Sequence, residues 1–211
     1  MTPSHIRKYL ISGESETLDF KQTISSAAKI AKTMVSFANH KGGTILVGVR
    51  DNRTIGGIKS EDEKYMLDLA AHFFCKPEIN LVLQEHEAEG KTIIEAIVPK
   101  GAERPYYAKD DQGKWWVYVR VNDQCILASK VTVDLMKRQQ SPHNKQFSFT
   151  PLERGILQMV ETQVKVTMPQ VCQAFNISRR RATRILVNLL SVGVLRSHTT
   201  EKMEFYSLGE P

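Results

Sequence analysis

Cysteine is scarce: Cys75, Cys125 and Cys172 are widely spaced, odd in number and without a CxxC pair. That pattern excludes a disulfide framework and offers no cysteine zinc site, so reduced thiols in the cytoplasm are expected. No apolar run approaches the roughly 18 residues needed to span a bilayer, and the N-terminus has no apolar stretch of the secretion-signal kind. A cytoplasmic protein that does not engage a membrane is the expectation. Glycine motifs that cradle phosphate are missing as well. Neither GxxxxGK(S/T) nor GxGxxG occurs, and Lys41-Gly42-Gly43 alone is too short to wrap a phosphate, so a bound nucleotide is not expected. His40 and His143 have no partner at metal-ligand spacing, and no cofactor follows from them.

What the chain does carry is positive charge. Its 29 Lys/Arg outnumber 23 Asp/Glu, for a net charge of +6 and a pI near 9.2, which favours an anionic partner. The surplus is uneven. Residues 141–211 hold nine Lys/Arg against five Asp/Glu, while the longer first part holds twenty against eighteen. A length of 211 residues suits one large domain or two small ones, and two are expected here.

The first part is organised around residues 13–51. Leu18 and Phe20 alternate with Asp19 and Lys21, the period of a strand with one buried and one solvated face, so an acid and a base point the same way. From Ile24 to Ala38 the apolar residues fall at helical spacing. Asn39 and Gly42-Gly43 stop that helix and reverse the chain into an apolar strand over residues 44–49. The unit reads strand, helix, turn, strand.

In order and spacing, Gly13-Glu14-Ser15-Glu16-Thr17-Leu18-Asp19-Phe20-Lys21, Phe37-Ala38-Asn39, Gly42-Gly43-Thr44, Gly48-Val49-Arg50-Asp51 and Gly56 resemble the Schlafen AlbA-like domain. The resemblance extends over residues 10–130, through Arg104-Pro105-Tyr106-Tyr107 and Tyr118-Val119-Arg120. It departs from the family at Asp19, where Glu is usual, and at Asn122-Asp123, which replace a small Gly-Ser pair. The resemblance implies a DNA-binding-type domain found in bacterial regulators. It also implies an alternative, because Glu14, Asp19 and Asp51 lie where Schlafen-type nucleases carry a carboxylate triad. Such a triad binds Mg2+ or Mn2+ for RNA cleavage, with Lys21 beside it to hold a phosphate. The same acids have structural roles open to them: Glu14 capping a turn, Asp19 paired with Lys21 or Arg120, Asp51 shaping the turn after its strand.

Further along, a lead-in helix is expected over residues 6–11 and a helix capped by Ser60 with Glu63 over 60–75. Hairpins are expected from residues 79–85 with 92–98 and from 104–108 with 115–121, then a helix over 130–139. Tyr106, Tyr107, Trp115 and Trp116 could stack on bases, although aromatic strands more commonly form core or dimer surface.

In the tail, Thr150-Pro151 opens a helix, residues 168–175 form a second, and Ser178 caps a third that runs to about residue 192. Two strand-like pieces follow, at 194–198 and 203–208. Three helices and a hairpin in about 60 residues match a winged helix-turn-helix. Arg179, Arg180, Arg181 and Arg184 occupy the first two turns of the third helix, where a recognition helix meets DNA, and Lys202 sits between the two strands.

The expectation is therefore an α+β protein. It has a mixed sheet with packed helices at 1–138, a linker at 139–146 and a winged helix at 147–211. Its expected role is a homodimeric DNA-binding transcriptional regulator acting on duplex DNA. A metal-dependent endoribonuclease and a non-catalytic interaction or sensor module are the alternatives.

Overall fold

In a computed structural model that describes residues 2–58, 61–140 and 149–209, the first unit opens with helix α1 (Ser4–Ser12). Its Ile6 is fully buried against Leu18 and Phe20 of strand β1 (Leu18–Lys21). Helix α2 (Ala27–Ala38) starts at Ser26, whose hydroxyl accepts from the Lys29 amide at 3.3 Å. Gly42, at φ +81°, then turns the chain into β2 (Gly43–Val47), which runs parallel to β1. The expected strand, helix, turn and strand are all present.

Helix α3 (Asp62–Phe73), the two-residue β3 (Cys75–Lys76), β4 (Val82–Ala88) and β5 (Lys91–Val98) follow. The principal sheet is mixed, in the order β1-β2-β5-β4, and only the β1 and β2 pair is parallel. Glu89 and Gly90, at φ +54° and +71°, make the two-residue connection of the β4 and β5 hairpin. Side chains alternate across this sheet. Ile45, Val47, Ile94 and Ala96 join α2 and α3 in the larger core, while Leu46 and Ile93 pack with α1 and β1 on the other face. Full burial of each such side chain contributes about 1.5–3 kcal/mol.

Strands β6 (Tyr107–Lys109) and β7 (Trp115–Trp116) extend β3 into a small antiparallel sheet. Here the structure differs from the expected single hairpin. Residues 115–121 are not one strand: after Val117, β8 (Tyr118–Val121) pairs instead with β9 (Gln124–Leu127). Asn122, at φ +54°, makes the reversal, and asparagine tolerates that conformation better than most residues. Both small sheets pack on α2, so nearly every side chain of that helix is buried.

The first unit ends at Ala128. Helix α4 (Lys130–Gln139), assigned from sequence to the first domain, belongs to the second unit. Its N-cap Ser129 and Thr132 hold the Glu204 carboxylate at 3.0 and 2.9 Å, and Val131 lies in the second core. The division therefore falls ten residues earlier than 138. Of the linker expected at 139–146, Gln139 closes α4 and Gln140 caps it, while 141–146 lie outside the described residues, as do Ser60 and His143.

Helix α5 (Pro151–Gln163) begins with a complete capping box between Thr150 and Glu153. After it come α6 (Met168–Ala174), α7 (Arg179–Ser191), β10 (Leu195–Thr199) and β11 (Glu204–Leu208), the last two antiparallel. Ile156, Val160, Val171, Leu186, Leu189 and Tyr206 form the centre of this unit. The Val166 and Tyr206 backbones exchange hydrogen bonds of 3.0 and 2.7 Å, tying the segment between α5 and α6 to the hairpin.

Candidate nucleic-acid interface

Helix α7 owes its orientation to spacing. Ala182, Ile185, Leu186 and Leu189 recur at helical intervals and are at most 5% exposed, which turns Arg179, Arg180, Arg181 and Arg184 outward. Ser178 caps the helix through the Arg181 amide at 3.3 Å. Among the described residues, none of these four guanidinium groups makes a hydrogen bond or an ion pair. Four permanent charges thus face solvent over the first two turns, beside the positive end of the helix dipole.

Next to them, α4 and α7 bound an open cleft of about 800 Å³. Lys130 and Arg138 of α4 line its other wall, so the basic surface is wider than the arginine run. Arg138 donates to the Asn188 side chain, and Lys130 pairs with Asp134. Sequence reasoning missed these two cations because α4 was grouped with the first domain. The basic last turn of α4, Lys137-Arg138, was the available signal. Lys202 is exposed in the turn between β10 and β11.

The three acids of the first unit are placed differently from a metal triad. Glu14 accepts the Phe20 amide through Oε1 at 2.8 Å. Asp19 is only 4% exposed, so its side of β1 is not solvated as the alternation implied. Arg120 of β8 covers it, donating from Nη2 to Oδ1 at 2.9 Å, and Lys21 Nζ lies 2.5 Å from Oδ2. Asp51 is exposed in the turn after β2. Among the described residues, Glu14, Asp19 and Asp51 do not gather their oxygens within 4.8 Å as one metal-ligating group. Asp19 makes both of the pairings open to it, with Lys21 and Arg120, while Glu14 bonds the backbone of β1 instead of capping a turn.

Arg120 itself is a hub. Its Nε donates to the Ser15 carbonyl at 3.2 Å, its Nη2 also to the Leu18 carbonyl at 3.3 Å, and its guanidinium lies 4.8 Å from the Phe37 ring centre. Asn39 plays a similar part, bonding Tyr106 and Tyr118 carbonyls and the Tyr106 amide at 2.8–2.9 Å. Of the aromatics, Tyr106 packs on the core, while Trp115 and Trp116 are 40% and 39% exposed. The Trp116 indole donates to Asp110 at 2.8 Å.

A family model described as Schlafen, AlbA_2 matches residues 14–129, more than half of the chain. The chain belongs to the Schlafen AlbA_2 family. The AlbA_2 match covers the first unit from residue 14 onward, so α1 precedes it, and helices α4 to α7 with the last hairpin lie beyond it. No curated protein matches. Among solved structures, the chain is similar to the DIP2311 protein from Corynebacterium diphtheriae, at 18% identity and a TM-score of 0.45. That alignment covers 70% of this chain and 30% of the other, so the chain spans under a third of that protein's length. It is also similar to the N-terminal domain of a RecG-related protein from Nitrosomonas europaea, at 18% identity and a TM-score of 0.42. Here 62% of this chain and 97% of that domain are covered. Among the described residues, no helix is long and apolar enough to cross a membrane.

Proposed function

We propose that this AlbA_2 protein is a DNA-binding transcriptional regulator that contacts duplex DNA through its second unit. In this reading α5, α6, α7 and the β10 and β11 hairpin are a winged helix-turn-helix, with α7 the recognition helix and Lys202 on the wing. The observation that carries the reading is the set of four exposed, uncommitted guanidinium groups on the first two turns of α7. Arginine forks match both phosphate oxygens and the guanine O6/N7 edge, so this surface suits backbone contact and base readout together. Lys130 and Arg138 extend the same basic surface. A single such unit supplies limited affinity, and a homodimer reading two half-sites would raise it by linking two binding events. The free thiols of Cys75, Cys125 and Cys172 accord with a reducing, cytoplasmic setting.

Gel-shift titration over a range of salt concentrations tests the proposal. Duplex DNA should be retarded, with affinity falling steeply as salt rises. Arg180→Ala with Arg184→Ala should weaken binding and reduce the salt slope by roughly one for each arginine that contacts phosphate. Unchanged binding by the double variant would sink the assignment of α7 as the contact.

A further inference from the structure

We propose that His5, His86 and Glu95 form a binding site for a transition-metal cation of the Zn2+ class, on the face of the principal sheet that carries α1. The Nε2 atoms of His5 and His86 both approach Glu95 Oε2, at 3.1 and 2.7 Å. All three atoms lie within 4.8 Å of one another, and no other group of three His, Cys, Asp or Glu does so among the described residues. A tetrahedral cation with bonds of about 2.0–2.1 Å holds neighbouring ligand atoms roughly 3.3 Å apart. The observed separations are close enough that small side-chain rotations admit the ion.

The topology explains the convergence. Glu95 on β5 pairs with Gln84 of β4, so His86, two residues on, shares its face as a diagonal neighbour. Helix α1 crosses this face, anchored by Ile6, and brings His5 over the carboxylate. The Glu95 side chain is 4% exposed, that of His86 13% and that of His5 46%. The site therefore has a buried anionic floor and an open lip, with room for a fourth ligand from solvent. Two imidazoles and one carboxylate select a borderline cation over Mg2+ or Ca2+, which take oxygen ligands. A cation seated among these atoms would also offset the cost of burying the Glu95 carboxylate. On binding, each neutral imidazole keeps its proton on Nδ1 and offers the Nε2 lone pair. Because the ligands come from α1 and from the β4 and β5 hairpin, the bound ion ties helix to sheet.

The test uses the full chain, stripped with a chelator, titrated calorimetrically with Zn2+ and in parallel with Co2+ followed by visible absorption. One equivalent should bind, Co2+ should show the intense bands of a four- or five-coordinate site, and excess Mg2+ should leave them unchanged. His5→Ala and His86→Ala should each lower the affinity by at least about tenfold with circular dichroism unaltered. His72→Ala removes a separate histidine that pairs with Glu78 at 2.9 Å, and it should change nothing. Should His86→Ala fail to fold, the half-exposed His5 variant carries the test. No Zn2+ uptake, uptake that survives His5→Ala undiminished, or an octahedral Co2+ spectrum would overturn the proposal.

Discussion

Arg120 shows how much one side chain can decide. Its guanidinium is 1% exposed and binds Asp19 together with the carbonyls of Ser15 and Leu18, so it fastens β8 to the start of β1. Arg120→Ala would strand a buried carboxylate that keeps, among the described residues, only Lys21 as an ion-pair partner. A loss of about 3–5 kcal/mol is expected, read as a lower urea midpoint. A loss under 1 kcal/mol would show that Asp19 does not depend on this partner. Asp19→Asn weakens the same junction, so any functional defect in that variant must be compared with its stability before a catalytic role is assigned. Cys75 makes a second prediction at this scale. Burial pushes its thiol up to about 12, so almost no thiolate exists at neutral pH. Peptide mapping after alkylation at pH 8 should find Cys75 unmodified in the native protein and modified once unfolded. Native-state alkylation as fast as that of a free thiol would contradict this burial.

Among the elements, the α2 to β2 turn is the most demanding. Gly42 combines φ +81° with a backbone so close that an added Cβ would meet the Lys100 nitrogen at 2.8 Å and the Val98 carbonyl oxygen at 2.9 Å. Neither atom belongs to a flexible side chain. Gly42→Ala should therefore cost at least about 1–3 kcal/mol, the range for strained backbone conformations, detectable as a lowered melting temperature. A neutral substitution would mean that the turn can be rebuilt locally. The helices of the second unit contrast with this, because their starts are specified by side chains: Thr150 with Glu153 for α5 and Ser178 for α7. Those caps, and the glycine pair after α2, are short-range features, which is why the starts of α5 and α7 and the end of α2 could be located from sequence within a residue or two, while α2 begins at Ala27, three residues after Ile24. The β8 and β9 hairpin escaped because its second strand, Gln124–Leu127, is too short to show a clear period.

At the scale of the whole molecule, the assignment of α4 sets where the chain can be divided. A fragment of residues 129–211 should fold cooperatively, whereas one beginning at 149 loses the packing of Val131 and Leu135 on the second core. Removing α4 should lower the stability of that unit by a few kcal/mol, seen as a fall in melting temperature between the two fragments. Equal stabilities would return α4 to the status of a connector. Local pattern alone specified the strand, helix, turn and strand at the start of the chain, the three tail helices and the outward arginines of α7, since spacing and caps act over a few residues. Three things were settled only by the tertiary structure: the burial of Asp19 under a side chain 101 residues away, the docking of α4 on α7, and the meeting of His5 with Glu95 across 90 residues. Each depends on strand register and helix docking, which join distant segments and leave no trace in any short window of sequence.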